Sequence, residues 1–192
     1  MHVAAPSLPL GFDASDEHAA DRPVMQFLRF SVGADAYAVR IELVREILEV
    51  AQMTPLPLMP SFVRGVMNLR GAVVPVVDLA ARLGLSPTEI GRRSCVIMVD
   101  MNLPDGLGHQ SLGVLVDAVH EVFDIEEGGI EAVPRMGTRI DPTLIAGMVR
   151  VRGHVIPALD FERSLAQQSL AELISAHLSS NKGAVDAVVA AV

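Results

Sequence analysis

The chain has 192 residues, 51% of them hydrophobic, with six Phe, one Tyr and no Trp. That length suits one domain, or two very small ones sharing a core, and an aliphatic, valine-rich core favours pleated strands. Net charge is −8 and the pI is near 5.1; a phosphate backbone or an anionic membrane surface is repelled, and a single cysteine excludes an internal disulfide framework or a multi-cysteine zinc site.

Residues 1–22 are rich in Ala, Pro, Ser and Asp and have no period. They carry Asp13, Asp16, Glu17 and Asp21 and lack a basic n-region, so they read as a disordered leader and not a signal peptide. Gln26–Phe30 and Tyr37–Ile41 flank the turn signal Gly33-Ala34-Asp35 and predict a hairpin. Val44–Leu48 fits either a helical turn or a strand. Thr54–Pro60 holds three prolines and is expected to be extended or irregular. Val73–Val77 is apolar throughout, as a strand covered on both faces would be, although Pro75 demands an edge or a position needing no N–H. Asp78 is placed to cap a short helix over Leu79–Leu83 that stops at Gly84.

Further strands are expected at Cys95–Val99, Leu112–Val116, Val119–Ile125, Met148–Val151 and Val155–Leu159. Many short strands at close spacing point to barrels or a sandwich. After Asp160, Phe161, Leu165, Leu170, Leu173, Ile174 and His177 or Leu178 recur at helical spacing and predict a helix over 161–178. Residues 179–192 read as a flexible Ala/Val-rich tail. No apolar run approaches the roughly 18 residues of a membrane helix, and the expected location is cytoplasmic.

The strongest internal signal is a repeat. At an offset of 82, GVMNLRGAVVPVVDL, starting at Gly65, meets GMVRVRGHVIPALDF, starting at Gly147. Each copy reads as a strand, an Arg-Gly turn, a second strand broken by Pro, and an Asp cap. The Gly supplies positive φ for the turn. Two such units, each of roughly 60–80 residues, are marginal alone and are expected to pack together.

The segment Gly65–Leu79 resembles the CheW-like domain family of bacterial chemotaxis couplers, whose pattern is close to G-V-x-N-L-R-G-x-V-x-P-V-x-D-L. Other pieces match in order: Phe27–Gly33 with Tyr37, Val44-Arg45-Glu46-Ile47, Leu56-Pro57 with Pro60-Ser61-Phe62, Leu112–Asp117 with Val119, then Pro134 and Ile145–Gly147. The likeness covers about Val24 to Leu178. It implies a mainly β fold of two SH3-like five-stranded β barrels packed together, with a C-terminal α-helix. The barrels would span approximately 23–90 and 91–160 within a domain of 23–178.

The resemblance further implies an adaptor with no cofactor. It would bridge the cytoplasmic tip of a methyl-accepting chemotaxis receptor, docked between the barrels, to the CheA histidine kinase through that kinase's own CheW-like domain. The chain would be a monomer alone and would be recruited to membrane-associated receptor arrays. An alternative output, such as surface motility, shares these features. Family receptor contacts carry over to Val44, Glu46, Arg70 and Gly71. Arg70 reads equally as a partner contact or as a side chain pinning its own barrel. Glu46 is either a rim contact or a solvated charge, Val44 core or contact, and Gly71 chiefly a turn requirement. Cys95 and Val122 fall where kinase or receptor contacts lie, with barrel packing the competing account. Arg152 and Gly153 are expected to be structural turn residues.

An enzyme reading finds little support. Cys95 lies in an apolar run without a His or Asn motif, so an inert thiol competes strongly with a nucleophile. The six His are scattered, with no metal-ligand spacing, and no G-x-S-x-G, P-loop or dinucleotide fingerprint occurs.

Overall fold

In a computed structural model, residues 24–57, 59–102, 109–126, 128–134 and 137–165 are described. The leader 1–22, the expected helix beyond Leu165 and the tail 179–192 lie outside the described residues. The strands are β1 (Val24–Val32), β2 (Asp35–Arg40), β3 (Val44–Glu49), β4 (Val63–Leu69), β5 (Ala72–Asp78), β6 (Cys95–Asn102), β7 (His109–Val116), β8 (Ala118–Glu126), β9 (Ile130–Glu131), β10 (Ile145–Val151) and β11 (His154–Leu159). Two short helices follow the repeated hairpins, α1 (Leu79–Arg82) after β5 and α2 (Phe161–Leu165) after β11. The ambiguous stretch at Val44 is a strand entered through a 3-10 turn at Ile41–Leu43.

A six-stranded sheet has the order β8-β1-β2-β11-β10-β9, and a five-stranded sheet has the order β3-β6-β7-β5-β4. Side chains alternate between two destinations. From β6, Ile97 and Val99 enter a core between the sheets, whereas Val96 and Met98 enter one made only by the five-stranded sheet and its flanking segment. From β1, Leu28 and Phe30 face the shared core, and Phe27 faces one internal to the six-stranded sheet. Each sheet therefore rolls around its own apolar centre, and the two rolled sheets share a third. Strands buried on both faces have no polar side to display, which is why their sequences are continuously apolar. Phe161 and Leu165 of α2 join the shared core, where Phe161 meets the ring of Phe30.

Two expectations about this architecture are corrected. One barrel has six strands, because the two-residue β9 extends it. The strands also do not sort at residue 90: β1 and β2 join β8–β11, while β6 and β7 join β3–β5. The reason lies in the hairpins. β5 pairs in parallel with β7, and β11 in parallel with β2. A parallel neighbour cannot follow through a tight turn, so each repeated hairpin takes its partner from elsewhere in the chain.

The offset-82 repeat is reproduced in detail. Both hairpins bulge at the same place, between Val63 and Gly65 and between Ile145 and Gly147. Asp78 N–H donates to the Phe62 carbonyl and Asp160 N–H to the Leu144 carbonyl. Pro75 and Pro157 are tolerated because pairing across to β7 and β2 begins only at Val76 and Ala158. Asp78 caps α1 by accepting from Ala81 N–H at 3.3 Å, and it also accepts from Thr88 N–H at 2.9 Å.

The two bulge glycines differ in what surrounds them. A Cβ on Gly65, whose φ is +138°, would lie 2.2 Å from the Thr54 carbonyl oxygen; one on Gly147 would lie 2.3 Å from Ile130 Cγ2, a side-chain atom. Gly65→Ala is expected to lower the unfolding free energy by about 3 kcal/mol or more. Gly147→Ala is expected to cost about 1–2 kcal/mol, because a side chain can yield. Urea titration of both variants checks the order.

Candidate docking surface

The turn of the first repeated hairpin carries the central feature. Arg70 has φ +51° and Gly71 has φ +87°, both left-handed, as a two-residue turn between right-twisted strands requires. Gly71 N–H donates to Asn68 Oδ1 at 3.0 Å and fixes the bend. A non-glycine residue there is uncommon and costs on the order of 1 kcal/mol. The Arg70 guanidinium reaches across to β3 and donates from Nη2 to Glu46 Oε2 at 3.3 Å. Its side chain stays 77% exposed, so the contact orients the group more than it stabilises the fold.

Beneath this pair the sheet opens. β5 is registered with β7 only over Val76–Asp78, so Ala72–Pro75 diverges from Ser111. The gap is a groove of about 440 Å³ lined by β3 to β7 alone. Met98, Val74 and Leu69 supply apolar surface, and Glu46 and Arg70 stand at its edge. Arg45 is held there by Ser111 Oγ at 3.3 Å and Asp100 Oδ1 at 3.5 Å, with Ser111 donating to Asp100 at 2.6 Å. Val73 is 52% exposed beside the tip. Such a surface offers paired charges and an apolar floor to a protein segment; no set of converging nucleophile and base accompanies it among the described residues.

The structure gathers some of the sequence-predicted residues and separates others. Glu46, Arg70 and Gly71 come together, although 24 positions separate Glu46 from Arg70. Val44 packs against the core between the sheets. Cys95, at the start of β6, packs against that same core. Burial pushes its thiol above the ordinary value, partly offset by a hydrogen bond from the Val119 backbone. Val122 lies on β8, an outer strand of the other sheet, and is 49% exposed. Arg152 and Gly153 form the second left-handed turn, and Arg152 donates to Glu121. Arg45, Ser111 and Val73 were not singled out by sequence; their spacing carries no signal, because only sheet pairing brings them together. Among the described residues no cluster of His, Cys, Asp and Glu is arranged to hold a metal ion.

The CheW-like domain model matches residues 26–169, spanning both sheets. Chemotaxis protein CheW of Rhizobium meliloti is 31% identical over 137 residues, which is 71% of this chain and 84% of that protein. Protein FrzA of Myxococcus xanthus is 33% identical over 149 residues, 77% of this chain and 89% of that protein. The crystal structure of the scaffolding protein TtCheW from Thermoanaerobacter tengcongensis superposes with a TM-score of 0.64 at 32% identity, covering 74% of this chain and 88% of that one.

Two outcomes are expected at this surface. Arg70→Asn keeps a residue that tolerates the left-handed turn, so stability should stay within about 1 kcal/mol, whereas Arg70→Val should lose about 2 kcal/mol; thermal unfolding compares them. The raised Cys95 thiol should alkylate with iodoacetamide at neutral pH at least about tenfold more slowly in the native than in the urea-unfolded protein.

Proposed function

Because this chain belongs to the CheW-like domain family, we propose that it couples methyl-accepting chemoreceptors to the CheA histidine kinase within a signalling array. It is a chemotaxis coupling protein of the scaffolding kind, not a catalyst. The single observation that carries the finer reading is the Arg70–Glu46 pair at the edge of an apolar-floored groove. A receptor tip is a helical hairpin, and it would offer carboxylates and cations to this pair and aliphatic side chains to the floor. Glu46 and Arg70 are the contact residues in this account, and Gly71 shapes the turn that presents Arg70. Val44 supports them from the core. Exposed Val122 on β8 is the candidate for a kinase contact through the kinase's own CheW-like domain, with Cys95 on β6 packed against the core between the sheets.

Coupling of this kind needs no chemistry. A scaffold that contacts receptor and kinase differently in two receptor states biases the kinase equilibrium by the difference in contact free energy. Modest interfaces suffice when an array repeats them. The chain would be a monomer alone and would reach membrane-associated arrays through the receptor. Among the described residues no helix is long and apolar enough to cross a membrane. A second reading keeps the adaptor role and changes the output, for example to surface motility. The likeness to FrzA, a relative whose name carries no chemotaxis label, favours it.

The test mixes the purified chain with the cognate kinase and a receptor cytoplasmic fragment, and follows complex formation and autophosphorylation. Arg70→Glu is expected to weaken receptor capture about tenfold, ~1.4 kcal/mol, with the thermal midpoint nearly unchanged. The exchange Arg70→Glu with Glu46→Arg restores the internal ion pair but reverses what is presented. If Arg70 touches the receptor, the double variant stays defective. Recovery of capture by the double variant would instead assign Arg70 to pinning its own hairpin.

A further inference from the structure

The groove has a counterpart, and its chemistry has changed. Strand pairing alone establishes the equivalence. Val76 and Ala158 are 82 positions apart, and they pair with Gly113 on β7 and Ala38 on β2. One strand further, Gly113 pairs with Met98 and Ala38 with Arg29. One strand further again, Met98 pairs with Glu46 and Arg29 with Glu121. Both outer strands carry a bulge beside that glutamate, at Arg45 in one and His120 in the other. Glu121 therefore stands where Glu46 stands, and Arg152, in its left-handed turn, stands where Arg70 stands. Each arginine donates to its own glutamate.

The floor differs. Buried Met98 is replaced by Arg29, which donates from Nη1 to Glu121 Oε1 at 3.2 Å. Arg45 is replaced by His120, which shares a 2.6 Å hydrogen bond with Ser31. Arg93, exposed on the turn before β6, acts electrostatically on the same imidazole. Burial, followed by Arg29 and Arg93, holds His120 below the usual imidazole range, and Glu121 opposes the shift. Two guanidinium groups, Arg29 and Arg152, thus share the Glu121 carboxylate, in a chain whose net charge is −8. Asp117 precedes the strand and Asp124 lies on it, where they accept from Gly33 N–H and Gln26 Nε2.

We propose that this cationic mouth of the six-stranded sheet binds a carboxylate-rich segment of a protein partner, with Arg152 as the principal contact and Arg29 beside it. The apolar-floored groove at Arg70 accepts aliphatic side chains; the counterpart presents guanidinium groups instead, and Arg152 is 72% exposed and can bond a second carboxylate. Exposed Val155 beside the turn supplies an apolar flank. The site stands apart from the coupling role at Arg70, because it is built on the other sheet from other residues.

The test titrates the full chain with a labelled peptide of alternating glutamate and alanine, and with its lysine counterpart, by fluorescence anisotropy at low and high salt. Saturable binding of the glutamate peptide, weakened by salt, is expected. Arg152→Glu should weaken it at least about tenfold through charge reversal, and Arg152→Gly, which keeps the left-handed turn, should weaken it several-fold with the fold intact. Arg40→Glu, remote from the mouth, should change nothing. Equal binding by the Arg152 variants, equal binding of the lysine peptide, or no saturable binding at low salt overturns the proposal. Binding seen only after removal of residues 1–22 would also overturn it, since the acidic leader would then be the occupant.

Discussion

Short parallel pairing governs the shape of this molecule. β5 meets β7 over three residues and β11 meets β2 at one registered pair. Those contacts tie each repeated hairpin into its sheet at the base and leave its tip divergent. A longer parallel register would close the mouths and would require an N–H where Pro75 and Pro157 have none. The proline in each copy is therefore part of the device that keeps a mouth open, and the Arg-Gly turn stands above it. The groove and the fold are consequences of the same register.

The two left-handed arginines belong to that device. Asparagine or glycine would fit the first turn position at lower conformational cost. Arginine there places a long planar donor at the point of a rigid hairpin, where neighbouring strands limit its directions. Glu46 and Glu121 then hold each guanidinium against its own sheet. At exposed positions these ion pairs add little stability. They order the side chain, which would reduce the entropy lost if a partner docks there.

The offset-82 repeat gives one chain two surfaces of the same plan and unlike chemistry. The backbone plan, the bulges, the turns and the Asp caps are retained in both halves. The difference rests on the residue at the floor, Met98 in one copy and Arg29 in the other. A buried thioether makes an apolar floor, whereas a guanidinium at the same register makes a cationic one. The scaffold can thus alter what it recognises without altering its strands.

Much was legible in the residues themselves. Apolar runs separated by Gly, Pro and Asp located nearly every strand, because strands buried on both faces have little choice of composition. The offset of 82 disclosed the paired hairpins, and Asp78 and Gly84 bounded α1 as expected. The family was readable from GVMNLRG onward. What only the tertiary structure decided was partnership. Which strands share a sheet depends on long-range parallel pairing, and local pattern carries no trace of it, so a division at residue 90 looked natural and was wrong. The approach of Glu46 to Arg70, the opening of the groove over Ser111, and the match of Arg29 to Met98 all follow from register between strands distant in the chain. Side-chain alternation reveals which face a residue takes, but the neighbour across the ladder is set only when the sheets close.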